Sequence, residues 1–152
     1  ILGSNISGAK VLGHKFKGPI IRGKKPKSNL LKTASLYLNS PYLWGGKTPL
    51  GIDCSGLTQM TYRINGYNIP RDASQQVKLG ETLSFIDESE AGDLAFFDNE
   101  EGEIIHVGLL LENHFILHAH GQVRIDKIDQ TGIYNVDSMK HTHRLRLIKK
   151  II

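Results

Sequence analysis

Gly51-Ile52-Asp53-Cys54-Ser55-Gly56-Leu57 is the stretch on which the reading of this chain turns, with Tyr42-Leu43-Trp44-Gly45-Gly46 shortly before it. It holds the only cysteine of the 152 residues. An Asp ahead of a helix accepts a hydrogen bond from a free N–H of the first turn. Asp53 therefore caps a helix that Cys54 opens. The free N–H groups and the positive end of the helix dipole favour a thiolate there, and the thiolate is the nucleophilic form. Ser55 and Gly56 are small enough to leave room for a substrate carbonyl. A lone cysteine with histidines far away in sequence is a candidate catalytic arrangement when the fold brings them together. His106 and His118 lie far downstream, each on a stretch that reads as a strand.

Outward from that stretch, the upstream segment predicts a helix over residues 29–39. Ser28 is its N-cap, and Leu31, Ala34 and Leu38 form its apolar stripe, broadened by Leu30 and Tyr37. Pro41 is expected to end it. The helix opened by Cys54 runs to about Asn65, with Leu57, Met60 and Ile64 as its core face and Gly66 as its stop. Asp72 and Gln75 form a capping-box pair that starts a short third helix. From Gly92 the pattern alternates. Residues 94–97, 104–111, 115–120, 123–125 and 142–148 are strand candidates. Asn99-Glu100-Glu101-Gly102 and Glu112-Asn113 read as hairpin turns. Helices first and antiparallel strands after them predict an α+β fold, with the helices on one face of a central sheet.

Composition sets the outer bounds. The length fits one domain able to bury a core. No apolar run reaches the roughly 18 residues a membrane span needs. One cysteine excludes an internal disulfide framework but not an oxidising compartment. The chain begins without Met and without a signal peptide, so we expect a mature or trimmed fragment. The net charge of +4 is uneven: residues 1–27 carry seven Lys or Arg and no Asp or Glu, and the rest is mildly acidic. That basic arm reads as a linker or a segment docked on an acidic body. Contact with an anionic polymer is the sharper alternative. Phe16 is the only aromatic residue among its lysines, so no nucleic-acid partner is expected.

The strand of His106 is informative. Val107, Leu109 and Leu111 fall on one face, and His106, Gly108 and Leu110 on the other. Gly108 leaves space beside His106, which suits a general base that takes the thiol proton and returns it to a leaving amine. A thiolate–imidazolium pair is expected, each charge stabilising the other. His118-Ala119-His120 and His141-Thr142-His143 place two pairs of histidines on strands, a spacing that can hold a transition metal. No Asp or Glu completes an evident ligand set, and neither metal nor cofactor is expected.

Six segments together resemble the NlpC/P60 cysteine peptidases. They are Pro41-Tyr42-Leu43-Trp44-Gly45-Gly46, Asp53-Cys54-Ser55-Gly56, Pro70-Arg71-Asp72-Ala73-Ser74-Gln75-Gln76, Gly92-Asp93-Leu94-Ala95-Phe96-Phe97, His106-Val107-Gly108 and Ile116-Leu117-His118-Ala119. Their order and spacing fit as well. The resemblance implies a papain-like catalytic domain over residues 28–152, with 1–27 as a basic arm or the trailing edge of a preceding SH3-like domain. It implies that Cys54, His106 and His118 are catalytic, with His118 rather than His120 orienting His106. It places Tyr42 and Trp44 at the cleft, Tyr42 beside the oxyanion, and implies that Asp53, Ser55 and Asp72 contact the substrate. The implied substrate is a peptidoglycan stem peptide, cut between D-γ-glutamate and the next diamino acid, in the periplasm, the cell envelope or outside the cell. Recycling in the cytoplasm is the other location. An acyltransferase or another amidase on the same Cys–His scaffold, and a non-catalytic wall-binding module, are the competing functions.

Overall fold

The computed structural model describes residues 2–4, 13, 17 and 22–152. The elements run in chain order as α1 (Ser28–Ser35), β1 (Lys47–Thr48), β2 (Gly51–Ile52), α2 (Cys54–Ile64), α3 (Ala73–Gln76) and β3 (Glu81–Leu83). They continue as β4 (Leu94–Asp98), β5 (Ile104–Leu110), β6 (Phe115–His120), β7 (Gln122–Ile128), β8 (Gly132–Asn135) and β9 (Lys140–Lys150). Helices first and an antiparallel sheet after them is the expected α+β order. The sheet, however, does not stay open. Its strands run β3-β9-β4-β5-β6-β7-β8, and β8 pairs back onto β9. Closure depends on the length of β9, where only 142–148 was expected. Its first residues pair with β8, and its last, Ile148 to Lys150, pair with β3. Closing the sheet removes edges that would otherwise carry unpaired backbone groups.

Two apolar clusters follow from strand alternation. Phe96, Val107, Leu109 and Leu117 face the helices and pack with Leu30, Tyr37, Leu57 and Tyr62. Ala95, Phe97, Leu110, Ile116, Ile133 and Ile148 face the inside of the closed sheet. His106 and Gly108 share the face of Leu110, as the alternation predicts. The space beside Gly108 is not open, though. A Cβ built there would lie 2.6 Å from Ile116 Cδ1 and 3.0 Å from His118 Cβ. Gly108 sits directly opposite His118 in the β5–β6 register, so its missing side chain admits β6 rather than a ligand.

α1 departs from expectation in three ways. Lys27, not Ser28, stands at the cap position and makes no side-chain cap bond. The core face is Leu30, Thr33, Ala34 and Tyr37, while Leu38 is 38% exposed. The helix also stops at Ser35, before Pro41 has any influence. Thr33 and Ser35 bond back to the carbonyls of Asn29 and Leu31. The Asn39 N–H is taken by the Val123 carbonyl of β7 at 2.9 Å. A tertiary contact thus captures the donor that one more helical turn would have used. Glu112–His114 forms a 3₁₀ turn rather than a simple hairpin, with Asn113 and His114 at positive φ.

The end of the basic arm that is described docks on the body. Lys27 Nζ lies 2.6 Å from the buried Asp93 carboxylate and 3.1 Å from Glu90. The Lys25 N–H donates to the Asn65 carbonyl at 3.0 Å. Most of the rest of the arm lies outside the described residues. Among those residues no helix is long and apolar enough to cross a membrane.

Candidate active site

Cys54 is the first residue of α2, and Asp53 caps that helix by accepting from the Gly56 N–H at 2.7 Å. The cap is also a hub. Asp53 accepts from the Gly45 N–H at 2.7 Å and from both terminal nitrogens of Arg71. Arg71 in turn donates to Ser55 Oγ at 2.8 Å. The Gly-rich loop after Trp44 is thereby tied to the helix start. Only glycine fits at position 56, because a Cβ there would lie 2.4 Å from the Gly46 carbonyl oxygen. Buried Gln76 of α3 donates to the Ser55 and Pro70 carbonyls and accepts from Thr58, locking α3 against α2. Gln75 bonds back toward the Asp72 N–H, as the capping box predicts.

Cys54 opens onto a cleft of about 640 Å³ whose walls include Trp44, Asp53, Ser55, Arg71 and Asp72. Trp44 is 85% exposed. A second hollow, about 350 Å³, is lined by Tyr42, His106, His120 and His143. Ile105 borders both. Tyr42 stands close enough to Cys54 and Asp53 to feel their charge. Its pKa is raised first by burial and then by those two groups.

The histidines form a directed chain. His106 Nε2 and His118 Nδ1 are 2.9 Å apart, and His118 Nε2 and Asp126 Oδ2 are 3.0 Å apart. His118, not His120, is thus the partner of His106. His143 stacks on the His106 ring at 4.3 Å between centroids. Among the described residues, no hydrogen bond joins the Cys54 thiol to a histidine. The sulfur lies instead against the Val107 N–H, one residue along β5 from His106. Contacts of this kind commonly tighten only when substrate closes the site.

Burial decides the charge state here. It pushes the Cys54 thiol up, and the Val107, Ser55 and Cys54 N–H groups only partly oppose it. Burial also drives His106 well below its ordinary value, with His118, His143 and His120 adding to the effect. Burial thus works against charge on both the thiol and the imidazole, opposing the helix N-terminus that favours a thiolate. Burial lowers His118 too, against the pull of Asp126, so in that contact a neutral ring donates to the carboxylate. Burial alone would raise Asp53, but Arg71 and the Gly56 and Gly45 N–H groups outweigh it and hold the carboxylate ionised.

These depressions have a consequence for stability. His143 is lowered to about 4, chiefly by burial. A histidine with a folded pKa below its unfolded value binds its proton more readily in the unfolded chain. Its contribution is complete above about pH 6.5 and is lost as pH falls toward the folded value. Denaturant unfolding is expected to show a loss of about 2 kcal/mol from His143 alone between pH 7.5 and 5. His106 and His118 add to it. A flat stability profile over that window would mean that these rings are not desolvated.

Arg71 and Asp126 are not singled out by the sequence reading, and His143 enters it only as half of a metal-spacing pair, not as a neighbour of His106. Arg71 lay inside a motif read for its cap. Asp126 carried one usable signal: with Arg124 it puts two charges on the face of β7 that ends in Ile128, a position pointing inside the closed sheet. Among the described residues no group of three or more His, Cys, Asp or Glu is arranged to hold a metal ion.

Comparison with known proteins bears on this geometry. The sequence profile of the NlpC/P60 family matches residues 39–143. The chain is 38% identical over 118 residues to a gamma-D-glutamyl-L-lysine dipeptidyl-peptidase of Bacillus subtilis (strain 168), a match covering 76% of this chain and 40% of the relative. It is 37% identical over 132 residues to dipeptidyl-peptidase 6 of Lysinibacillus sphaericus, covering 84% and 45%. The chain thus spans less than half the length of either relative. The NlpC/p60 domain of the peptidoglycan hydrolase SagA superposes with a TM-score of 0.66 at 25% identity, covering 83% of this chain and 99% of that one. An NlpC/P60 family protein from Bacillus cereus ATCC 10987 gives a TM-score of 0.72 at 24% identity, covering 84% and 41%, a likeness of fold.

Proposed function

The chain belongs to the NlpC/P60 family, and from that premise we propose that residues 28–152 are a cysteine peptidase domain acting on peptidoglycan stem peptides. The bond cut is the one between D-γ-glutamate and the following diamino acid. One observation carries the reading. Cys54 opens α2 with its sulfur against the backbone of β5, and the adjacent His106 is held by His118 at 2.9 Å. The relative named for cleavage after gamma-D-glutamate supports the choice of bond.

The sulfur attacks the carbonyl carbon while His106 takes the thiol proton. The oxyanion is met by the Cys54 N–H and the Tyr42 hydroxyl. His106 then protonates the amine as the C–N bond breaks, leaving a thioester on Cys54. Water, deprotonated by His106, attacks that thioester and releases a carboxylate and the thiol. Trp44 supplies an apolar wall, and Ser55 and Asp72 supply polar contacts. Asp53 is already engaged by Arg71, so a substrate amine meets the exposed Asp72 carboxylate at the rim more readily. Such a substrate places the protein at the cell envelope, or in the cytoplasm if it acts on released fragments.

Digestion of purified muropeptides, with fragments read by mass, tests the reading. Products ending in D-γ-glutamate with a free amine on the diamino acid are expected. Intact muropeptides would refute the peptidase assignment, and transfer of the acyl group to an added amine in place of water would favour an acyltransferase.

A further inference from the structure

We propose that Asp126 is a positioning residue that sets the tautomers of His118 and His106, so that His106 presents an unprotonated Nδ1 as the base. The catalytic consequence rests on the peptidase reading; the tautomers do not.

The argument follows the donors. Asp126 is fully buried on β7. Its Oδ2 accepts from Arg124 Nε at 2.7 Å. Its Oδ1 accepts from Arg124 Nη2 at 2.9 Å and from the Val136 N–H at 3.3 Å. A carboxylate so held is ionised and can only accept. Burial opposes that ionisation, but the hydrogen bonds of His118, Arg124 and Val136 hold the group well below the usual carboxylate range. His118 Nε2, 3.0 Å away, must therefore carry its hydrogen. A neutral imidazole has one N–H, so His118 Nδ1 is an acceptor. His106 Nε2, 2.9 Å from it, must then be the donor. His106 Nδ1 is left with its lone pair, on the side of the ring nearest its own backbone. Val107, whose N–H lowers the pKa of the Cys54 thiol, is the next residue along β5. Of the other charged or titratable groups near this chain, Asp137 is bound to Arg124 at 2.6 Å, and His143 bonds Thr142 at 2.9 Å. His120 lies against His118, with ring centroids 6.3 Å apart. None of these three is hydrogen-bonded to a nitrogen of His106 or His118.

Asp126→Asn reverses the chain. Its amide oxygen is favoured at the Oδ1 position, where two fixed donors meet it, the Val136 N–H and Arg124 Nη2, against one, Arg124 Nε, at Oδ2. The NH₂ then faces His118 Nε2. A ring can answer by moving its proton, so His118 becomes Nδ1–H, His106 accepts at Nε2, and His106 Nδ1 becomes protonated.

Nitrogen-15 NMR of the histidine rings at neutral pH tests this in the unmodified protein. His118 and His106 are both expected as Nε2–H tautomers, and an Nδ1–H form of either overturns the proposal. In Asp126→Asn both rings are expected to switch, and kcat on L-Ala-D-γ-Glu-L-Lys to fall on the order of 10²–10⁴-fold with KM nearly unchanged. Asp98→Asn is the matched control, because Asp98 is another carboxylate buried in this sheet and bound to an arginine, Arg144, at 2.8 Å. It is expected to keep the tautomers and kcat. An Asp126→Asn protein with unchanged rings and turnover overturns the proposal, as does an equal fall in the control. If the unmodified protein cleaves no stem peptide, the functional reading fails, while the ring measurement still decides the role of Asp126. It decides equally if the Asn variant does not fold.

Discussion

Cys54→Ala is expected to lower hydrolysis of a stem peptide on the order of 10⁴-fold or more, since removing a nucleophile eliminates the acyl-enzyme route altogether. The fold should survive. The sulfur is the only heavy atom lost, at a side chain that is 7% exposed, and a small buried truncation of this kind costs about 1 kcal/mol. The cap is untouched, because Asp53 bonds the Gly56 N–H rather than anything on Cys54. Steady-state turnover read beside a thermal melt checks both halves. A variant that keeps full turnover sinks the peptidase reading, and one that is inactive because it is unfolded would place Cys54 in the core rather than the chemistry.

Arg71→Leu is expected to be strongly destabilising. The Arg71–Asp53 pair joins a guanidinium that is 27% exposed to a carboxylate that is 7% exposed. Breaking such a pair from the arginine side strands a buried charge, at a cost of about 3 kcal/mol or more. The backbone N–H groups of Gly45 and Gly56 remain as partners, which keeps the loss near the lower end. The sign with pH is fixed by Asp53. Its folded pKa is depressed, so its contribution is present above the ordinary carboxylate value and fades as pH falls through the folded one. Arg71→Leu removes that contribution, and the gap between variant and parent is expected to narrow in acid. Denaturant unfolding at pH 7 and near pH 3 measures it. An equal loss at both would show that Arg71 acts through packing of its alkyl stem instead of through charge.

Local chemistry made much of this molecule legible before its fold was known. Asp53 could be read as a cap, and Cys54 as the opening of a helix, because N-cap chemistry is settled within four residues. The inward and outward faces of β5 followed from period-two alternation for the same reason. Other elements resisted. α1 kept its place but not its face or its end, because β7 captures the Asn39 N–H from far along the chain. The extent of β9 was underestimated, since its terminal residues owe their extended form to β3 and β8 rather than to their own hydrophobicity. Gly108 was read as an opening, whereas the strand opposite fills it.

The sequence by itself determined where a nucleophilic side chain could sit, which histidines were available, and the helix-then-strand order, because each depends on neighbours a few residues away. Only the tertiary structure decided that the sheet closes and that Asp126 stands behind His118. It also decided that burial opposes charge on Cys54, His106 and His118. Ring pairing across strands and the loss of water around a charge are properties of residues brought together from distant parts of the chain, and no local pattern encodes them.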